Sequence, residues 1–419
     1  MPHVAVIGAG IAGVTTAYNL LERGFSVTVI DRERYVAMQT SFANGGQLSA
    51  SNAEVWNHWS TVAKGMKWML KRNAPLLLNP TPSWHKYLWL AEFIANIANY
   101  RENTIQTTRL AIAARDLLFS IAEREKIDFD HVRRGILHIY WDRPSFDHAS
   151  KVNSMLMEGG LERRPVTPSE MLSIEPALHG NFYGRFFTPS DSTGDIHKFT
   201  TGLAKACERR GGTFIFDADV DSIERGEKFQ IRFRKKMPAD VLDSSREVLD
   251  ADGIVVCAGL GSRRLAAMLG DRVNVYPVKG YSITVHLDSE ESRKAVPWVS
   301  LLDDRAKIVT SRLGVDRLRV AGTAEFNGTN RDIRDDRVQP LSDWTRTLFP
   351  HAETNRVIPW AGLRPMMPSM MPRVGRGKLP GVFYNTGHGH LGWTISAATA
   401  QIVSECVATQ FANTNDFAA

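Results

Sequence analysis

Three glycines near the start of the chain sit at a spacing that could hold a phosphate. Gly8-Ala9-Gly10-Ile11-Ala12-Gly13 directly follows the apolar run Val4-Ala5-Val6-Ile7 and opens a helical pattern. Gly8 permits a tight turn, Gly10 lets the backbone approach a pyrophosphate, and Gly13 permits close packing of helix on strand. The helix start then offers free N–H groups and a positive dipole end to the phosphates. Asp31 ends the next strand-like run, 18 residues past Gly13, where a carboxylate can take ribose hydroxyls. A glycine-rich turn with no ligand is the plain alternative, and the motif does not separate NAD from FAD.

A second glycine-rich turn, Asn385-Thr386-Gly387-His388-Gly389-His390-Leu391-Gly392-Trp393-Thr394, lies between a strand and a helix near the other end. Two such turns can hold two parts of one extended cofactor. The second helix start could face a flavin ring and stabilise its negative charge on reduction. His388 and His390 read equally well as surface-loop residues, because the glycine spacing serves the backbone. Trp360-Ala361-Gly362-Leu363-Arg364-Pro365-Met366 precedes this turn. A surface arginine is the default, yet Arg364 lies between apolar neighbours, and a buried guanidinium suits a carboxylate bidentately.

These residues need a scaffold. Val4–Ile7, a helix over Val14 to Arg23 stopped by Gly24, and a strand over Phe25 to Ile30 make one βαβ start. From about Ser49 to Glu125 run helical patterns broken by Pro75, Pro80 and Pro82, with Trp56, Trp59, Trp68, Trp84 and Trp89. Strand character returns at Gly135–Tyr140, Thr213–Phe216, Phe229–Phe233, Gly253–Gly259, Tyr281–Leu287, Lys307–Thr310 and Leu318–Gly322. A helix over Asp195–Gly211 feeds the second of these. The chain closes with Val382–Asn385 and a helix to about Ala408. There are no internal repeats.

At 419 residues the chain is long for one core, so two domains are expected. The order of elements predicts a nucleotide domain in three pieces, 1–50, 190–275 and 355–419, with 51–189 and 276–354 forming a substrate domain. Lysine and arginine number 51 against 45 aspartates and glutamates, a net +6 that does not argue for nucleic acid. Cys207, Cys257 and Cys406 are far apart and form no CxxC pair, so neither a disulfide framework nor a zinc site is suggested, and a reducing compartment fits. The N-terminus does not read as a signal peptide, and no run of about 18 apolar residues suggests a membrane span. A cytoplasmic location follows, with peripheral contact at the inner face of the cell membrane left open.

Thr40-Ser41-Phe42-Ala43-Asn44-Gly45-Gly46-Gln47-Leu48-Ser49, the stretch Lys67 to Leu76, and Asn385 to Thr394 resemble bacterial D-amino acid dehydrogenases of the small-subunit type. The N-terminal GxGxxG and the Gly-Leu-Arg-Pro setting of Arg364 are similar to the wider D-amino acid oxidase-like superfamily. The resemblance spans nearly the whole chain. It implies an α/β fold: a Rossmann-like FAD-binding domain with a parallel sheet, plus an α+β substrate domain with a mixed or antiparallel sheet.

The resemblance further implies non-covalent FAD. Gly8, Gly10, Ile11, Ala12, Gly13, Asp31 and Arg32 would contact it, as would Ser41, Asn44, Gly45 and Gln47 in the loop past the flavin ring. Val220 would meet the adenine, and Ala258 and Gly259 would pack by the pyrophosphate. Gly387, His388, Gly389, Leu391, Gly392, Trp393 and Thr394 complete the set. Related sarcosine oxidases attach flavin through a cysteine, whereas Cys257 and Cys406 lie outside the Arg364 segment. Arg364 would pair with the substrate carboxylate, with Tyr281 and Gln47 also at the reacting centre. The implied reaction is hydride transfer from Cα to flavin N5, giving a 2-oxo acid and ammonia, with a quinone or another carrier as acceptor. No general base is nominated.

The stretches Ala50–Trp56 and Met366–Pro372 depart from the family's usual sequence in regions expected near substrate. They leave open an enzyme of a secondary or N-methyl amine, such as sarcosine, glycine or a hydroxyproline. A flavin-dependent RNA-modification protein is a further alternative. Lys64, Lys67, Trp68, Lys71 and Arg72 form the basic cluster that would favour a membrane surface.

Overall fold

The computed structural model describes residues 1–68, 76–235 and 246–415. A six-stranded sheet forms the base of the molecule. Its order is Arg373–Arg376, Val382–Thr386, Gly253–Val256, His3–Ile7, Ser26–Ile30 and Thr213–Ile215, all parallel except the first strand. The inner strands are near-continuous apolar runs because helices cover both faces of a parallel sheet. Val4, Ala5 and Val6 are fully buried. Helices Ile11–Glu22, Ile196–Arg209 and Gly392–Asn415 cover one face, and a three-stranded antiparallel sheet, Ala218–Arg225, Phe229–Lys235 and Arg246–Ala251, packs over the other.

A nine-stranded mixed sheet makes the second layer system. Its longest strands are Val357–Met366, Tyr276–His286 and Arg317–Phe326, paired antiparallel. Strand Ile136–Tyr140 continues it in parallel with Ser300–Asp303. Val357–Met366 lies in the stretch expected to belong to the nucleotide domain, yet it pairs along its length with Tyr276–His286. The strand expected from Tyr281 begins at Tyr276, and the C-terminal helix runs to Asn415.

Helices Trp59–Trp68, Trp84–Ala95 and Tyr100–Arg124 occupy the tryptophan-rich stretch. Lys71 and Arg72 of the basic cluster lie outside the described residues. Trp89 is buried, with its indole N–H donating to the Met366 carbonyl, while Trp59 and Trp84 are exposed.

Candidate active site

One cavity runs between the two large sheets, from the Gly8 turn to the Asn385–Thr394 turn. At one end, Gly8 holds a φ of +116°, and a Cβ there would lie 2.5 Å from the Cys257 carbonyl oxygen. A Cβ on Gly13 would lie 1.8 Å from the Gly8 carbonyl oxygen, so helix and strand touch backbone to backbone. Gly13 alone among the expected contact residues does not line the cavity, in keeping with a packing role. A Cβ on Gly10 would meet nothing nearer than Ser41 Oγ at 3.5 Å; its open side is the cavity itself. Ser41 Oγ accepts from the Ile11 N–H at 3.1 Å, tying the 41–47 loop to the helix start.

Asp31 lines the same end and accepts from the N–H groups of Ala9 and Glu33. Burial raises its pKa more than those hydrogen bonds lower it. Arg32, Val220, Ala258 and Gly259 complete this wall. Together they leave room for a dinucleotide: an open glycine flank for the pyrophosphate and a carboxylate at the strand end for the ribose. We expect Asp31→Ala to lower FAD occupancy by the loss of a charged hydrogen bond, about 1.5–3 kcal/mol. Turnover per bound flavin should stay close to that of the parent enzyme. Full occupancy with a collapsed rate would place Asp31 at the reacting centre instead.

The 41–47 loop is held from above by the mixed sheet. Ser282 Oγ donates to the Ala43 carbonyl at 2.7 Å, Arg319 to that of Asn44 at 2.9 Å, and Ser311 Oγ to that of Gly45 at 2.6 Å. The Asn44 side chain accepts from Gly46 N–H. Gln47 donates its amide nitrogen to Ser300 Oγ at 2.7 Å, and its amide oxygen accepts nothing among the described residues. Only that oxygen is free to serve at a reacting centre.

Arg364 lines the other end. Burial depresses its pKa to about 10. Among the described residues its side chain donates one hydrogen bond, to the Thr323 carbonyl at 3.0 Å, and has no carboxylate partner. Gly280, on the neighbouring strand, makes room for it: a Cβ there would lie 2.3 Å from the guanidinium nitrogens. Gly280 was missed in the sequence, where the strand was expected to start one residue later. A glycine inside a strand can mark such a close approach.

Tyr281 touches the cavity, but its hydroxyl donates to Glu325 Oε2 at 2.8 Å. Tyr281 thus lies beside the cavity, as a place near the reacting centre requires, with its hydroxyl held by Glu325. Glu325 is buried beside the fully buried Lys279, and the pair draws the hydroxyl away.

Neither histidine of the second turn is a free surface residue. His388 is buried, with Nε2 between Asn385 Oδ1 and Thr399 Oγ1. His390 Nε2 lies 3.2 Å from the Asn52 carbonyl, an acceptor only, so Nε2 carries the proton. Burial pushes both imidazoles down to about 4, leaving them neutral at pH 7. Gly387, Gly389, Leu391, Gly392, Trp393 and Thr394 line the cavity around them.

The Ala50–Trp56 stretch reaches the site as expected: Ser51, Asn52, Glu54, Val55 and Trp56 line it. Met366–Pro372 does not, since Met366 and Met367 pack behind the second turn against Gly389 and Gly387. Sequence reading missed Asp191 and His138. Asp191 accepts from the N–H groups of Ala50 and Ser51, and His138 Nε2 meets Ser51 Oγ at 2.9 Å. They fix the segment that carries Glu54.

A split parallel sheet with a dinucleotide cavity beneath a mixed sheet defines an FAD-linked oxidoreductase architecture. The chain belongs to the FAD dependent oxidoreductase family (DAO), whose model matches residues 3–406. It is 70% identical to D-amino acid dehydrogenase 3 of Mesorhizobium japonicum, over 98% of each chain. It is 40% identical to D-amino acid dehydrogenase of Paramagnetospirillum magneticum, over 96% of this chain and 94% of that one. In fold it is similar to glycine oxidase from Geobacillus kaustophilus, at a TM-score of 0.74 and 19% identity, covering 98% of this chain and 95% of that one.

Proposed function

We propose that the chain oxidises D-amino acids to 2-oxo acids and ammonia and passes the electrons to a quinone or another carrier. The observation that carries this reading is Arg364: a desolvated guanidinium that faces the cavity beside the second glycine turn and lacks a carboxylate partner among the described residues. A substrate carboxylate supplies what it lacks, through a planar fork of donors. The names of the relatives support the D-amino acid and the dehydrogenase parts. They do not favour the secondary-amine or RNA-modification alternatives.

FAD, when bound, supplies the hydride acceptor. The chain's own residues bind and orient. Arg364 fixes the carboxylate, and Gly280 keeps the space that the guanidinium needs. His390, neutral and donating from Nε2 to Asn52, adds no second positive charge to compete for the carboxylate. Burial of Arg364 strengthens its pairing with a carboxylate. A non-covalent flavin agrees with the cysteines. Cys257 reaches the cavity at the Gly8 end, where burial pushes its thiol up to about 12, so it is not a nucleophile at neutral pH.

Contact with a membrane surface is the remaining part of the proposal. No helix of the described residues is long and apolar enough to cross a membrane. The exposed Trp59 and Trp84 support a surface contact, since tryptophan favours the interface.

Anaerobic mixing of the purified yellow protein with D- and L-amino acids tests the proposal. D-amino acids should bleach the flavin, and quinone analogues should restore the colour much faster than dissolved oxygen. Bleaching by L-amino acids or by secondary amines alone would overturn the substrate assignment. Rapid recovery in oxygen, with peroxide formed in step with substrate, would make the protein an oxidase.

A further inference from the structure

We infer that Glu54 forms a subsite for the positively charged end of a substrate side chain, so that basic D-amino acids such as lysine, ornithine and arginine are favoured substrates. The inference rests on the reading of the chain as a D-amino acid dehydrogenase.

Glu54 lines the cavity, and 33% of its side-chain surface remains open. Its Oε1 is already used: the Tyr100 hydroxyl donates at 2.7 Å and His148 Nε2 lies 3.2 Å away. These two partners, from helices Tyr100–Arg124 and Arg143–Glu158, lock the carboxylate in place. Oε2 accepts no hydrogen bond from any described residue, which leaves an acceptor on a carboxylate that lines the cavity.

The carboxylate is charged. Burial alone would raise its pKa, but the hydrogen bonds from His148 and Tyr100, with the nearby charge of Lys307, outweigh burial and hold it below the usual range. Its basic partner, His148, meets Oε1, and no lysine or arginine among the described residues pairs with Oε2; Lys307 pairs with Asp304 at 2.5 Å. An ionised carboxylate in an enclosed site with half its hydrogen-bonding capacity unused is a standing demand for a donor, and a cationic one satisfies it best.

Its placement relative to Arg364 fits a side chain. Arg364, Glu54, Trp56 and His390 line the same cavity. The rings of His390 and Trp56 stack at 4.9 Å with an interplanar angle of 24°, and His390 is held there by the Asn52 carbonyl. That flat wall suits a run of methylenes. An amino acid with its carboxylate on Arg364 and an extended stem along Trp56 would carry a terminal ammonium or guanidinium towards Oε2.

The test compares D-lysine with D-norleucine, which has the same straight chain without the ammonium. The parent enzyme should show the higher kcat/KM for D-lysine. Glu54→Gln keeps the size and can still accept from Tyr100. It should lower the D-lysine to D-norleucine ratio of kcat/KM by roughly 10- to 100-fold, mostly through KM. Glu54→Asp, which withdraws the charge by one methylene, should give an intermediate ratio. Flavin occupancy, read by absorbance, confirms that each variant holds FAD. Equal handling of the two substrates by the parent enzyme would overturn the subsite. So would an equal loss of both in Glu54→Gln, which would place Glu54 at the α-amine or in the scaffold. In either case D-norleucine still bleaches the flavin, and the parent reading stands. If no D-amino acid bleaches it, the parent reading fails and the subsite with it.

Discussion

Replacing Arg364 with alanine raises KM for a D-amino acid roughly 30- to 5,000-fold while the protein still binds FAD, because losing a charge-assisted pair costs about 2–5 kcal/mol. The separation of the two effects follows from position. Arg364 belongs to the mixed sheet and Gly8 and Asp31 follow strands of the parallel sheet, and among the described residues its side chain hydrogen-bonds to the Thr323 carbonyl alone. Arg364→Lys recovers part of the loss, since the ammonium keeps the charge but not the fork. Steady-state kinetics on FAD-loaded protein decide the matter, and near-normal kinetics for the alanine variant would remove Arg364 from substrate binding. A side effect is expected in the empty enzyme. Burial holds the guanidinium pKa down to about 10, so the charged form is carried at a cost. A neutral, apolar replacement such as Arg364→Met should therefore leave thermal stability unchanged or raise it while binding is lost.

The second large effect belongs to Gly13. A single methyl group there would sit 1.8 Å from the Gly8 carbonyl oxygen, and both are backbone positions that cannot rotate away. The helix Ile11–Glu22 would have to lift from the sheet, and the open flank at Gly10 would move with it. We expect Gly13→Ala to cost about 3 kcal/mol or more and to purify largely without flavin. Flavin content and the thermal midpoint measure both parts. A yellow variant with an unchanged midpoint would show that the helix has slack at this contact.

The parts of the site built from neighbours in sequence were legible before the fold was known. The Gly8–Gly13 turn, Asp31 at the strand end and the second turn at Asn385–Thr394 each announce themselves by spacing, because backbone geometry demands glycine at fixed offsets. What could not be read has a common physical cause: burial of polar groups that look solvated. Lys279 is fully buried, satisfied by Asn330 Oδ1 and the Asp332 carbonyl, and with Pro277 and Gly280 it interrupts the apolar pattern of the Tyr276–Gly280 half of its strand. The same polar nest diverted the Tyr281 hydroxyl. Tyr100, His148 and Glu54 converge from three separate segments, and no local spacing encodes their meeting. The departure of Ala50–Trp56 from the family sequence was the one available hint. Its twin at Met366–Pro372 misled, because those methionines fill the space behind the second turn instead of facing the cavity.

The six-stranded sheet draws its centre from far-separated parts of the chain: His3–Ile7 lies beside Gly253–Val256, which lies beside Val382–Thr386. During synthesis, the first glycine turn therefore emerges long before the strands that complete its sheet. Until residue 386 has left the ribosome, the edge of Gly253–Val256 that receives the last parallel strand stays unpaired, and an unpaired edge of apolar residues invites mispairing. Pairings of such long sequence separation also form slowly. The nascent chain is thus exposed for most of its translation, and the cofactor cavity closes only at the end of it.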